Sequence, residues 1–339
     1  MRSSTSRPGD CARHGHDGSV TPASGRWPDF FIVGHHKSGT TALYRMLRQH
    51  PQIYMPDLKE PRFFASDLRA RAPAKRGRHP VTAPEYLALF EAASPEQIAG
   101  EASATYLFSH TAADRIAQVN PRARIIAILR EPASFLRSLH LTYLRIHFED
   151  ESDLRKAIAL EQERREGRRI PARSRVPQLL QYSQQVRYAE QLCRYQARFP
   201  SEQLLVLIYD DFRRDNETTL RTVLRFLRVD DRFPLPTLDA NVTTSSVRSS
   251  RVDALLSSVS LARGGWARPV KAAVKLLTPR KARHGALAAV RRRTVVSEVP
   301  PPDEELMDEL RRRFKPEVVA VSELLGRDLV SLWGYDVIV

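Results

Sequence analysis

The segment that most constrains the fold runs from Phe30 to Thr41 and reads F-F-I-V-G-H-H-K-S-G-T-T. Four apolar residues enter a turn bracketed by Gly34 and Gly39 and rich in oxyanion donors. The A-L-Y-R-M-L-R that follows has the apolar spacing of a helix. Strand, glycine turn and helix start together make a phosphate-binding loop, because backbone N–H groups and the helix N-terminus converge on one anion. Gly34 and Gly39 stand five apart, as in G-x-x-x-x-G-K-[ST], but Thr40 occupies the place of the lysine that reaches the outer phosphates of a nucleoside triphosphate. Lys37 lies inside the loop instead. The loop therefore suits a shorter anionic group at a nucleotide 5′ end, held by backbone N–H groups and the hydroxyls of Ser38, Thr40 and Thr41.

With 339 residues and 42% hydrophobic content, the chain can bury one large α/β domain or two small ones. The longest apolar runs, Ile125 to Leu129 and Leu204 to Tyr209, are far shorter than the roughly 20 residues that span a bilayer. The first residues carry charge without an apolar core, so residues 1–26 read as a disordered tail and a cytoplasmic location is expected. Cys11 and Cys193 support neither a disulfide framework nor a metal cluster, and His14, His16, His35 and His36 lack accompanying ligand spacing, so no metal is assigned. The net charge of +15 attracts anions without choosing among nucleic acid, lipid, glycan and nucleotide. The basic excess from Arg263 to Arg293, around Trp266 and V-K-A-A-V-K-L-L, reads as a basic helical subregion spanning about 255–295 that either borders the active site or touches a membrane surface.

Short apolar strands alternate with amphipathic helices. Strands are expected at Phe30 to Val33, Gln52 to Met55, Gln97 to Gly100, Arg124 to Leu129 and Leu204 to Tyr209. Helices are expected at Thr41 to Gln49, Pro84 to Ala92, Thr111 to Val119, Pro132 to His147, Gln185 to Phe199 and Glu217 to Leu227. The fully apolar I-I-A-I-L and L-L-V-L-I strands need helices on both faces, which makes a three-layer αβα sandwich around a mainly parallel sheet. A second anion site lies in L-R-E-P-A-S-F-L-R-S, where Arg130 ends a buried strand and Ser138 follows two helical turns later. Ligands of open α/β sheets lie beyond the carboxyl ends of the strands, so Arg130 stands on the side of the first loop. A helix-start ion pair between Arg130 and Glu131 is the alternative.

These two sites together resemble the sulfotransferases that use 3′-phosphoadenosine 5′-phosphosulfate (PAPS). V-G-H-H-K-S-G-T-T-A-L is similar to that family's loop for the 5′-phosphosulfate, and I-L-R-E-P-A-S-F-L-R-S-L to its 3′-phosphate site. H-P-Q-I-Y-M-P-D-L-K-E-P-R-F-F and G-E-A-S-A-T-Y-L resemble segments of its bacterial branch related to heparan-type carbohydrate sulfotransferases. The resemblance runs from about Phe30 to the C-terminus and implies a single domain over 27–339. It implies that Lys37, Ser38, Gly39, Thr40 and Thr41 hold the 5′-phosphosulfate and that Arg130 and Ser138 hold the 3′-phosphate, with Arg248 or Arg251 as a later contact.

The implied reaction is in-line sulfuryl transfer to an acceptor hydroxyl or amine on a carbohydrate, lipid or small metabolite, glycan or glycolipid included. Lys37 would stabilise the leaving group and Glu60 of K-E-P-R-F-F would accept the proton. Glu60 pairing with Lys59 or Arg62 is the structural alternative, and His35 and His36 are rival bases. Ala102 stands where glycan enzymes often carry a lysine, which argues against a polyanionic acceptor. The polar segments Ser66 to His79 and Glu149 to Pro177 are the expected acceptor loops. A P-loop kinase shares the first loop but needs the lysine after Gly39 and an aspartate-ended strand for magnesium. A basic module binding nucleic acid leaves both anion sites unexplained, so no nucleic-acid partner is expected.

Overall fold

The computed structural model describes residues 25–69, 79–234, 245–247, 296–298 and 301–338. The basic segment 255–295, Arg248, Arg251, Asn241, Cys11 and most of the expected tail lie outside the described residues.

Five strands form one all-parallel sheet: β1 (Phe30–Gly34), β2 (Ile53–Tyr54), β3 (Ile98–Ala102), β4 (Arg124–Leu129) and β5 (Leu204–Ile208), in the order β2-β3-β1-β4-β5. The helices are α1 (Thr40–Leu47), α2 (Ala83–Leu87), α3 (Ala112–Val119), α4 (Pro132–Arg145), α5 (Leu154–Ala159), α6 (Glu161–Arg165), α7 (Tyr182–Gln185), α8 (Tyr188–Gln196), α9 (Tyr209–Arg214), α10 (Asn216–Leu227), α11 (Glu304–Leu325) and α12 (Leu329–Leu332). A two-stranded antiparallel ribbon joins β6 (Ser245–Val247) to β7 (Val296–Glu298).

Period-two alternation explains the layers. In β1, Phe30 and Ile32 enter a core shared with α1, Ile126, Ile128 and α10, while Phe31 packs on the other face against Phe64. Both faces of β1 and β4 are buried, as their continuous apolar sequence requires.

The residues fall into two compact units. The first, Met1–Leu136, Gln181–Asn241 and Glu305–Val339, holds the whole five-stranded sheet. The second, Arg137–Leu180 and Val242–Glu304, holds α5 and α6, which correct the expectation of a loop over Glu149 to Pro177. Its organising contact is a fully buried bidentate pair in which Arg164 donates to both oxygens of Glu149 at 2.7 and 2.8 Å. That segment reads as a polar loop because its apolar residues are few, yet a paired charge is buried in their place. The helix expected over Gln185 to Phe199 is broken into α7 and α8, with Val186 and Arg187 as the joint.

Candidate active site

The candidate residues gather at the carboxyl ends of three adjacent parallel strands: the chain leaving β1 and β4 carries Lys37 and Arg130, and the segment after β2 docks Glu60 on the end of β3. The middle contribution is the loop. The pairing of β1 with β4 shifts register between Ile32 and Gly34, and His35 N–H still donates to Ile128 O at 2.8 Å before the chain leaves the sheet. Gly34 is held close to the chain after β3, where an added Cβ would lie 2.6 Å from Leu107 Cβ. Gly39 has φ 87°, a left-handed conformation that starts α1 with no side-chain cap, and α1 carries no acidic residue in its first turn. Its first N–H groups and positive dipole end are thus available to an anion. Ser38 and Thr40 are buried beside them.

Lys37 also has a left-handed backbone, at φ 61°, a conformation that costs a non-glycine residue roughly 1–2 kcal/mol. Arg130 offsets part of that cost by donating to Lys37 O at 3.0 Å. The Arg130 guanidinium lies 4.8 Å over the Tyr209 ring, and Arg130 O accepts from the Tyr188 hydroxyl at 2.9 Å. Arg130 does not pair with Glu131: that carboxylate caps α4, accepting from Ala133 N–H at 2.9 Å and Ser134 N–H at 2.6 Å. Ser138 lies in the second unit, buried on α4, with its carbonyl accepting from Thr142 Oγ1 at 2.9 Å.

The third contribution is Glu60. Its N–H donates to Ala102 O at 2.9 Å, and its carboxylate accepts from Ala104 N–H at 3.1 and 3.2 Å, so it sits on the end of β3. Lys59 Nζ donates to Glu60 Oε1 at 2.7 Å and Arg62 Nε lies 3.6 Å from Oε2. The ion pairs read as the structural alternative are therefore present, and they sit in the candidate site. Burial alone would raise the Glu60 pKa, but His36, Lys59 and Arg62 hold it down at about 2. Glu60 and Arg62 both have positive φ, at 64° and 56°. Three of the six left-handed non-glycine residues among the described residues therefore fall in the loop and the K-E-P-R segment, as stored strain at functional sites does.

The two histidines behave differently from free bases. His35 is fully buried between Phe135 and Tyr188, with its Nε2 2.6 Å from Gln191 Oε1. Gln191 Nε2 donates to the carbonyls of Gln184 and Gln185, which turns Oε1 toward His35 and puts the imidazole proton on Nε2. Burial lowers its pKa to about 3, so it is a neutral spacer under the loop. His36 is lowered to about 4, chiefly by desolvation. Glu60 opposes that shift, while Arg62, Lys59 and Lys37 reinforce it, which places loop and K-E-P-R segment within electrostatic reach.

Sequence reasoning left Glu101 without a role. It lies at the end of β3, fully buried, with Oε2 accepting from Tyr106 OH at 2.7 Å and Tyr86 OH at 2.9 Å, and with Oε1 making no hydrogen bond. Burial pushes its pKa up to about 7 against the pull of the hydroxyls. An acidic residue inside an otherwise apolar strand was the available signal.

A profile of the sulfotransferase family matches residues 28–233, and the chain belongs to that family. Human bifunctional heparan sulfate N-deacetylase/N-sulfotransferase 3 is 31% identical over 66% of this chain and 24% of its own length. Mouse carbohydrate sulfotransferase 15 is 32% identical over 34% of this chain and 27% of its own. The chain thus spans about a quarter of the length of these curated relatives. The crystal structure of a sulfotransferase from Alicyclobacillus acidocaldarius superposes with a TM-score of 0.65 and 27% identity, covering 91% of this chain and 99% of that one.

Proposed function

We propose that residues 27–339 act as one PAPS-dependent sulfotransferase domain, transferring a sulfuryl group to a hydroxyl or amine of a carbohydrate acceptor. The observation that carries this reading is the hydrogen bond from Arg130 to Lys37 O, which joins two anion-directed features at neighbouring strand ends. A nucleotide with phosphates at both its 3′ and 5′ positions calls for two such features. The uncapped N-terminus of α1 and the left-handed turn at Lys37 and Gly39 suit the 5′ group. Arg130 is assigned to the 3′-phosphate. PAPS supplies the activated sulfuryl group and a bisphosphorylated leaving group. Lys37 stabilises the charge that develops on the bridging oxygen, and losing such a preorganised donor costs about 2.7–4 kcal/mol of barrier.

Glu60 accepts the acceptor's proton. With a pKa of about 2 it is ionised throughout the physiological range, so its carboxylate is in the proton-accepting form. The carbohydrate acceptor class follows the names of two relatives, one a carbohydrate sulfotransferase and the other a heparan sulfate N-sulfotransferase.

The test is incubation of labelled PAPS and a panel of glycans and glycolipids with the wild type, Lys37→Ala and Glu60→Gln. Label transfer should fall by about 100-fold to 1,000-fold in Lys37→Ala. In Glu60→Gln it should disappear while affinity for adenosine 3′,5′-bisphosphate is retained. Full activity in Glu60→Gln would remove that assignment, and binding of Mg-ATP in preference to the bisphosphate would favour a kinase.

A further inference from the structure

The segment from Arg327 to Tyr335 lies beyond residues 28–233, which match the family profile, yet it makes three polar contacts with the two segments that frame Arg130. The Tyr335 hydroxyl donates to Glu131 Oε1 at 2.5 Å, Trp333 Nε1 donates to Asp210 Oδ2 at 2.9 Å, and Arg327 pairs with Asp211 at 2.6 Å. All of these residues belong to the first unit. Tyr335 is fully buried, and burial beside Glu131 raises its pKa, so its hydroxyl keeps the proton that it donates.

Each contact bears on Arg130 through a neighbour. Glu131 follows Arg130 directly and fixes the first turn of α4. Asp210 and Asp211 follow Tyr209, the ring against which the Arg130 guanidinium stacks. The backbone after Arg130 and the ring beneath its guanidinium are thus both held from the C-terminal segment. Two further anchors act on Arg130 directly: Tyr188 OH holds its carbonyl from α8, and Lys37 O accepts from its guanidinium. Immobilising the support of a flexible arginine side chain before binding lowers the ordering cost of holding an anion.

We infer that Tyr335 and Trp333 are positioning residues that hold Arg130 in the geometry needed for a nucleotide 3′-phosphate. The C-terminal segment thereby completes the site opened by the loop after β1. The inference rests on the assignment of Arg130 made under the proposed function.

The experiment measures binding of adenosine 3′,5′-bisphosphate and of AMP, which lacks the 3′-phosphate, by calorimetry. The proteins are the full-length wild type, Tyr335→Phe, Trp333→Phe, Arg130→Ala and Arg130→Ala/Tyr335→Phe. Tyr335→Phe should weaken the bisphosphate by about threefold to tenfold, the worth of one hydrogen bond, and leave AMP unchanged. On the Arg130→Ala background it should weaken the bisphosphate no further. Trp333→Phe gives the same reading by an independent contact if Tyr335→Phe does not fold. Equal weakening of both nucleotides would reveal general loosening and overturn the inference, as would unchanged affinity for both. If Arg130→Ala itself keeps the full preference for the bisphosphate, the assignment of Arg130 fails instead, and the two failures are told apart.

Discussion

Replacing Glu101 by Gln should change how stability depends on pH more than it changes stability at any one acidic pH. The folded protein holds this carboxyl at about 7 against an ordinary 4.5. Between those values the native state keeps a proton that the unfolded state releases, so this group's contribution to stability is complete below pH 4.5. It is lost progressively as pH rises to 7 and stays lost above. A shift of about 2.5 units at 1.36 kcal/mol each gives a loss on the order of 3 kcal/mol. Gln keeps a carbonyl oxygen for the Tyr86 and Tyr106 hydroxyls but does not titrate, so the variant gains on the wild type by that amount between pH 4.5 and 7. His35 and His36, lowered to about 3 and 4, act with the opposite sign across part of the same range. They act equally in both proteins and cancel in the difference. Urea unfolding of wild type and Glu101→Gln from pH 4.5 to 8.5 measures it. A stability difference that stays constant across this range would refute the reasoning, because Glu101 would then be ionised in the folded protein from the outset.

Two further outcomes follow from local geometry. Gly39→Ala places a side chain at φ 87° with its Cβ 2.9 Å from the Phe212 ring, so about 1–2 kcal/mol of stability should be lost, together with nucleotide affinity; thermal melts with and without adenosine 3′,5′-bisphosphate report both. Arg164→Met strands the Glu149 carboxylate in the interior and should cost about 3–5 kcal/mol in urea unfolding. Adding Glu149→Leu to that variant should recover most of the loss, and no recovery would mean that the pair contributes more than its own desolvation.

The sequence alone determined the sheet and its loop because their signals are local. An apolar run that meets glycines and hydroxyls can hardly be anything but a strand entering an anion-binding turn, and β4 occupies Arg124–Leu129 as its pattern requires. Lys37 and Arg130 were legible as candidates from their places at those elements, and Glu60 only through the resemblance of K-E-P-R-F-F to a family segment. Glu60's neighbours Lys59 and Arg62 were read as its ion-pair partners and are so, but the distant partners were not legible: Arg130 on the carbonyl of Lys37, Glu60 on the N–H of Ala104, His35 on Gln191. Only the tertiary structure decided that His35 is a desolvated spacer and that Glu101, silent in a strand, holds its proton near neutrality. Only it brought Tyr335 onto Glu131, a contact between residues 204 positions apart. Burial and long-range pairing set protonation and orientation, and a linear pattern records neither.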